Sequence, residues 1–65
     1  MVIRLIRNNL QFEYWNVIDI QNVGDYIALD NHDDVIKCNI NGEWFANYNT
    51  VFINDKTVDK MEVFL

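Results

Sequence analysis

Apolar and polar residues alternate with a period of two along most of this chain, which is typical of β-strands whose two faces differ in burial. Residues 1–7 combine β-branched side chains with arginines, and they predict an opening strand with Ile3 and Leu5 facing inward and Arg4 outward. In residues 10–20 the even positions are apolar except for Asn16. This segment predicts one long strand, or two strands joined by a bulge near Trp15 and Asn16.

Trp15 and Val17 break the polar face of that segment. Such residues either cover a second small core, as they would in a closed barrel, or form an exposed apolar patch. Small domains use aromatic residues to enlarge their core wherever they can, so the pattern favours packing.

Asparagine and glycine mark the turns. Asn8-Asn9 and Asn41-Gly42 each predict a hairpin, because a two-residue type I′ turn needs positive φ at both central positions. Residues 21–24 are predicted to be a loop, in which Gly24 supplies backbone freedom. In the following strand, residues 25–30, Ile27 and Leu29 are expected to point one way and Tyr26 and Ala28 the other.

The Asn41-Gly42 turn also fixes a register for the hairpin of residues 35–45. Cys38 should face Phe45, with Ile36 further along the same face, while Asn39 faces Trp44 on the other. Cys38 is therefore expected to be a buried, unreactive residue.

The last third of the chain predicts two further strands. Residues 50–53 form a short β-branched and aromatic run, and residues 54–56 mark a turn. Residues 57–65 alternate as a strand would, although Val58, Met61 and Leu65 also fit one helix face. The segment is short for a stable helix, so a single turn and a terminal strand are favoured.

The sequence thus predicts one all-β domain over residues 1–65. It would be a small antiparallel meander of six or seven short strands, forming a rolled sheet or a small SH3-like or OB-like barrel. A composition of 51% hydrophobic and 14% aromatic residues supports a folded domain even at 65 residues, where little surface can be buried.

The compartment is predicted from what the sequence lacks. With one cysteine there is no internal disulfide, and no apolar run reaches the length of a membrane span or a signal region. A cytoplasmic protein is expected. Proline and serine are absent while asparagine and isoleucine are abundant, a bias of AT-rich codons that hints at a low-GC bacterium, its phage or another mobile element.

Negative charge is concentrated in one quarter of the chain. The net charge is -5, and residues 19–34 carry five aspartates with no lysine or arginine: Asp19, Asp25, Asp30, Asp33 and Asp34. An acidic domain repels phosphate backbones, and the basic residues are scattered. Direct nucleic-acid binding is therefore not expected.

The sequence offers little material for catalysis, so no enzymatic activity, metal or cofactor is expected. His32 and Cys38 are the sole nucleophile-base combination, because the chain has one histidine, one cysteine and no serine. The acidic run of residues 30–34 fails the EF-hand pattern, which needs a third-position Asp or Asn, a sixth-position glycine and a distant glutamate. It is interpreted as a turn whose side chains bond their own backbone.

Two functional hypotheses remain. The first is a small protein-protein interaction module, acting as a regulator or inhibitor through outward aromatic residues of the types enriched at interface hot spots: Trp15, Tyr26, Trp44 and Tyr48. Its open sheet edges would also allow a homodimer. The second is an inhibitor that mimics nucleic acid, presenting the acidic patch of residues 19–34 to a DNA- or RNA-binding protein.

Overall fold

The chain folds into two antiparallel β-sheets. The computed structural model describes residues 1–46 and 48–65, and within them eight strands are present: β1 (Val2–Arg7), β2 (Leu10–Trp15), β3 (Asp19–Val23), β4 (Tyr26–Asp30), β5 (Lys37–Ile40), β6 (Glu43–Ala46), β7 (Thr50–Asn54) and β8 (Lys60–Phe64). One sheet has the order β6-β5-β2-β1-β8, and the other has the order β3-β4-β7. The all-β prediction is confirmed.

Three tight hairpins build most of these sheets. Asn8 and Asn9 join β1 to β2 with φ of 50° and 62°, and Asn41 and Gly42 join β5 to β6 with φ of 49° and 95°. Both turns therefore have the positive φ pair of type I′. Between β3 and β4, Gly24 has a φ of 61°, which suits the first central position of a type II′ turn.

The chain moves from the larger sheet to the smaller one at Asn16. This residue has a φ of 70°, a left-handed conformation that asparagine tolerates better than most residues. The next residue, Val17, is fully buried and exchanges backbone hydrogen bonds with Met1 at 2.6 and 3.1 Å. Of the two residues that break the polar face, Val17 therefore packs in the core, whereas Trp15 is exposed.

Pairings between distant strands complete both sheets. Strand β5 pairs with β2, β7 with β4, and β8 with β1. A 3-10 turn, Asp55–Thr57, precedes β8, and Asn54 caps it by accepting a hydrogen bond from the Lys56 N–H at 3.0 Å. The predicted turn and terminal strand are confirmed.

One hydrophobic core lies between the inner faces of the two sheets. The larger sheet contributes Ile3, Leu5, Phe12, Tyr14 and Cys38, the smaller sheet contributes Ile27, Leu29 and Ile53, and the connecting segments contribute Val17 and Ile36. The predicted hairpin register is confirmed, because Cys38 pairs with Phe45 and Asn39 with Trp44.

Three predictions about the fold are wrong. The sheets do not form a barrel: among the described residues no strand pairing joins the two, so each keeps two open edges. The described part of the chain has eight strands rather than six or seven, and their order departs from a simple meander. Residues 21–23 belong to strand β3 instead of a loop, because the Gly24 turn brings them alongside β4.

A buried tyrosine in this core has a strongly shifted pKa. Tyr14 lies opposite Cys38 on the neighbouring strand. Its burial, together with the adjacent Cys38 thiol to which it is hydrogen-bonded, raises the pKa of Tyr14 from 10.0 to about 12, and Arg7 opposes part of that shift. Burial disfavours the charged phenolate because it removes the solvation of the charge.

The stability of the fold should therefore fall in strong base. The unfolded chain loses the phenolic proton near pH 10, whereas folded Tyr14 keeps it until about pH 12. The free energy of unfolding is unaffected by this group below pH 10 and is expected to drop by about 2 kcal/mol between pH 10 and 12. Urea unfolding of wild type and Tyr14→Phe across this range measures the effect. An equally steep loss in Tyr14→Phe would contradict it.

Candidate functional site

Two exposed tryptophans meet on the outer face of the larger sheet. Trp15 ends β2, Trp44 lies in β6, and β5 runs between them. Their ring centroids are 5.5 Å apart with an angle of 83° between the ring planes, an edge-to-face contact. Trp15 is 45% exposed and Trp44 is 53% exposed. The pair thus presents a large aromatic surface to the surroundings in a defined orientation.

Polar contacts hold the indole of Trp15 in place. Its Nε1–H donates to the Glu13 carboxylate, whose other oxygen binds the guanidinium of Arg4 at 3.2 Å. That guanidinium lies over the ring of Phe64, 5.0 Å from its centroid. A continuous run of side-chain contacts therefore extends across the sheet from Phe64 in β8 to Trp44 in β6, and it restrains the orientation of the Trp15 ring.

A groove adjoins the tryptophan pair. It has a volume of about 530 Å³ and is lined by Trp15, Lys37, Trp44, Phe45 and Ala46. Among the described residues that line it, Lys37 alone is charged, and in strand register it lies between Trp15 and Ala46. The groove is consequently an aromatic surface that carries one positive charge on a protein of net charge -5.

The structure brings together only two of the four predicted aromatic residues. Tyr26 lies in β4 of the smaller sheet, away from the tryptophan pair in the strand order. Tyr48, 85% exposed, lies between β6 and β7 and borders a shallow depression together with His32 and Val35. Trp15 and Trp44 form one surface, which we call the tryptophan site, and the two tyrosines do not share its groove.

The predicted acidic patch is divided. Asp19 and Asp30 are directly opposed where the β3–β4 pair begins, whereas Asp25 lies in the turn at the other end of that pair. Asp33 and Asp34 follow Asp30 in the connection to β5.

Neutral donors offset part of the repulsion between the opposed carboxylates: Thr50 Oγ1 donates to Asp30 at 2.6 Å, and Gln21 donates to Asp19 at 2.9 Å.

The loop after β4 is organised by one buried side chain. Asn31 is 4% exposed, and its Oδ1 accepts hydrogen bonds from the backbone N–H groups of Asp33 and Asp34 at 3.0 and 3.1 Å. Its Nδ2 donates to the carbonyl of Asn16 at 2.8 Å. The predicted turn with side chain to backbone bonds is therefore confirmed, and it also ties this loop to the crossing between the sheets.

Metal-binding and nucleophilic groups are dispersed in the described part of the chain. No cluster of three or more His, Cys, Asp or Glu residues has the geometry to hold a metal ion there. Cys38 is buried in the core, whereas His32 is exposed on the loop surface. The structure of residues 1–46 and 48–65 also contains no helix with the length and apolar character needed to cross a membrane.

Sequence reasoning missed three residues next to the tryptophan site: Lys37, which lines its groove, and Glu13 and Arg4, which hold the Trp15 indole in place. The signal for Lys37 was the hairpin register, which already places it opposite Ala46 and on the face of Trp44. Glu13 and Arg4 needed the pairing of β1 with β2, which the Asn8-Asn9 turn predicts. No local signal placed Trp15 beside this hairpin, because that contact depends on the pairing of β2 with β5.

Comparisons with known proteins find no match for this chain: no family model, no curated protein and no solved structure resembles it closely enough to be assigned.

Proposed function

We propose that this protein is a small non-enzymatic interaction module, a regulator or inhibitor that binds a partner protein through the tryptophan site. The observation that carries the proposal is the pair of half-exposed tryptophans held edge-to-face by a contact network. Tryptophan is among the residues most enriched at interface hot spots, and a ring that is already ordered loses little entropy on binding. The chain has a single cysteine, Cys38, and therefore no internal disulfide, which fits action in a reducing, cytoplasmic compartment.

A pull-down from the source cell lysate, followed by binding measurements with the identified partner, tests this function. Trp15→Ala and Trp44→Ala should each weaken binding by about thirtyfold, equivalent to roughly 2 kcal/mol, because each truncation removes a hot-spot ring. Both rings are half exposed, so each variant should lose part of its stability but still fold.

The matched control is Phe52→Ala. Phe52 is an aromatic residue in β7 of the smaller sheet and is 62% exposed. It should bind the partner as wild type does. Unchanged affinity in both tryptophan variants, or equal losses in all three variants, would contradict the proposal, and loss of folding in a tryptophan variant would reassign that ring to the core.

The second candidate function, mimicry of nucleic acid, is supported by the opposed pair Asp19 and Asp30 and by the nearby residues Asp33 and Asp34. The division of the patch weakens it, because Asp25 lies at the far end of the strand pair. Under this alternative, partner binding would fall steeply with added salt, and Asp33→Asn would weaken it more than Trp44→Ala. Under the favoured function, binding persists at high salt.

A further inference from the structure

Strand β6 is one edge of the larger sheet, so half of its backbone polar groups point away from the protein. The two-residue turn makes Ile40 and Glu43 a hydrogen-bonded pair, and such pairs alternate along an antiparallel ladder. The same alternation directs the backbone groups of Phe45 toward β5. The N–H and C=O groups of Trp44 and Ala46 are consequently directed toward the open edge.

The side chains of these two residues lie on the face that carries the groove. Ala46 pairs with Lys37 in the register, and both residues line the groove beside the edge of the sheet. Trp44 occupies the next groove-facing position along β6. A strand added to this edge would place alternate side chains over the groove, one opposite Ala46 and one opposite Trp44.

Charge defines the chemistry of such a strand. Lys37 takes part in no ion pair among the described residues. None of the described residues that line the groove is acidic, and the nearby carboxylate of Glu13 is already bound to Arg4 at 3.2 Å. A side chain that reaches Lys37 across Ala46 is therefore favoured when it carries a carboxylate, whereas a basic side chain would be repelled.

We propose that β6 binds an extended segment of the partner protein as an added antiparallel strand, with an Asp or Glu opposite Ala46 paired to Lys37 and an aromatic residue opposite Trp44. Because the added strand runs opposite to β6, its recognition motif is an acidic residue, any residue, then an aromatic residue from N- to C-terminus. This inference rests on the proposed function, since it names the partner chemistry of the tryptophan site.

A second copy of the chain does not fit this site through β6 itself. The groove-facing residues of β6 are Trp44 and Ala46, and its one acidic residue, Glu43, points to the opposite face by strand alternation. Self-pairing of two β6 edges would thus bring no carboxylate to Lys37. It would also join two molecules that each carry a net charge of -5.

The test is an NMR titration of the full chain with the blocked peptide acetyl-Thr-Val-Asp-Thr-Phe-Thr-amide, about the length of a typical strand. Saturable shifts are expected at the backbone amides of Trp44 and Ala46 and at the indole N–H of Trp44. A peptide with Lys in place of Asp should bind at least about tenfold more weakly, because its charge is repelled by Lys37. A peptide N-methylated at Asp and Phe should not bind, since those two amides pair with the edge.

Two protein variants separate the charge from the backbone contact. Lys37→Glu should weaken binding of the Asp peptide and strengthen binding of the Lys peptide. Lys56→Glu, the same charge change in the 3-10 turn, should leave both affinities unchanged. Ala46→Pro removes one edge-directed N–H without removing a bond to β5, so it should fold normally and lose peptide binding. The proposal is overturned if the backbone amides of Trp44 and Ala46 show no saturable shifts, or if Lys37→Glu leaves the affinities for the peptides unchanged.

The same variants distinguish this inference from the function on which it rests. If Trp44→Ala weakens binding of an identified partner but Lys37→Glu and Ala46→Pro leave that affinity unchanged, the interaction module stands and strand addition is wrong. If the partner ignores Trp44→Ala as well, both are wrong. Concentration-dependent self-association that shifts the Trp44 and Ala46 amides without peptide would instead make a second copy the occupant, and it would overturn the acidic strand.

Discussion

Leu29→Ala is expected to lower the free energy of unfolding by about 3 kcal/mol and the melting temperature by roughly 15 °C. Leu29 is fully buried in β4, the central strand of the smaller sheet, and it packs in the single core between the two sheets. Truncating it leaves a cavity that so small a domain cannot offset elsewhere. With total stability on the order of 3 to 10 kcal/mol at this length, the variant should be close to unfolding.

The matched control is Leu10→Ala, the same chemical change at the 41% exposed start of β2. It should lower the melting temperature by only a few degrees, because little transfer free energy is lost. Thermal and urea unfolding monitored by circular dichroism compare the two variants. Similar losses at both positions would show that Leu29 does not occupy the core.

Asn31→Ala is expected to lower the free energy of unfolding by about 2 to 4 kcal/mol, although the substitution removes no large apolar group. The change leaves the N–H groups of Asp33 and Asp34 and the carbonyl of Asn16 without their side-chain partner in a part-buried setting. Unsatisfied buried polar groups are more costly than the net value of the bonds they lose. The crossing between the sheets should loosen together with the loop.

Two further substitutions resolve the contribution of Asn31. Asn31→Asp keeps the oxygen that accepts from the two backbone N–H groups but loses the donor to Asn16, so an intermediate loss is expected. Asn22→Ala, at an exposed position in β3, should change the free energy of unfolding by less than about 0.5 kcal/mol. Equal unfolding midpoints for Asn31→Ala and Asn22→Ala would refute the structural role of Asn31.

Local turn chemistry explains why much of the fold was predictable. The positive φ demanded at Asn41 and Gly42 is a requirement that few residue types meet, so the turn and its register follow from two letters of the sequence. Once that register is known, Cys38 and Phe45 must share a face. The burial of Ile3 and Leu5 follows in the same way from alternation within one strand.

The assignment of strands to two separate sheets was not predictable, because alternation reports burial but not which sheet buries a residue. Residues on the inner face of a barrel and residues between two sheets give the same period of two. Asn16 was the available signal. In the sequence it is a polar interruption in a strand, whereas in the structure it has a positive φ and marks the point at which the chain passes from one sheet to the other. Residues 21–23 of β3 were not predicted as strand, because Gln21 and Asn22 lie at an exposed edge that no apolar pattern marks.

Part of the tryptophan site could be predicted from the sequence, because the hairpin register follows from local turn chemistry. The hairpin register places Trp44 and Lys37 on one face without any knowledge of the remaining strands. Trp15 joins them only through the pairing of β2 with β5, two strands between which the chain leaves for the smaller sheet and returns. Contacts of that kind carry no local sequence signal.

The pairing of β1 with β8 has a consequence for the kinetics of folding. Ile3 is paired with Val63, so strands from opposite ends of the sequence must meet before the larger sheet is complete. The three hairpins need only local contacts, whereas β2–β5, β4–β7 and β1–β8 each close a long loop, and such topologies refold over milliseconds to seconds. We expect stopped-flow refolding monitored by tryptophan fluorescence to fall in that range. Completion within microseconds would mean that the chain searches far fewer conformations than its strand order implies.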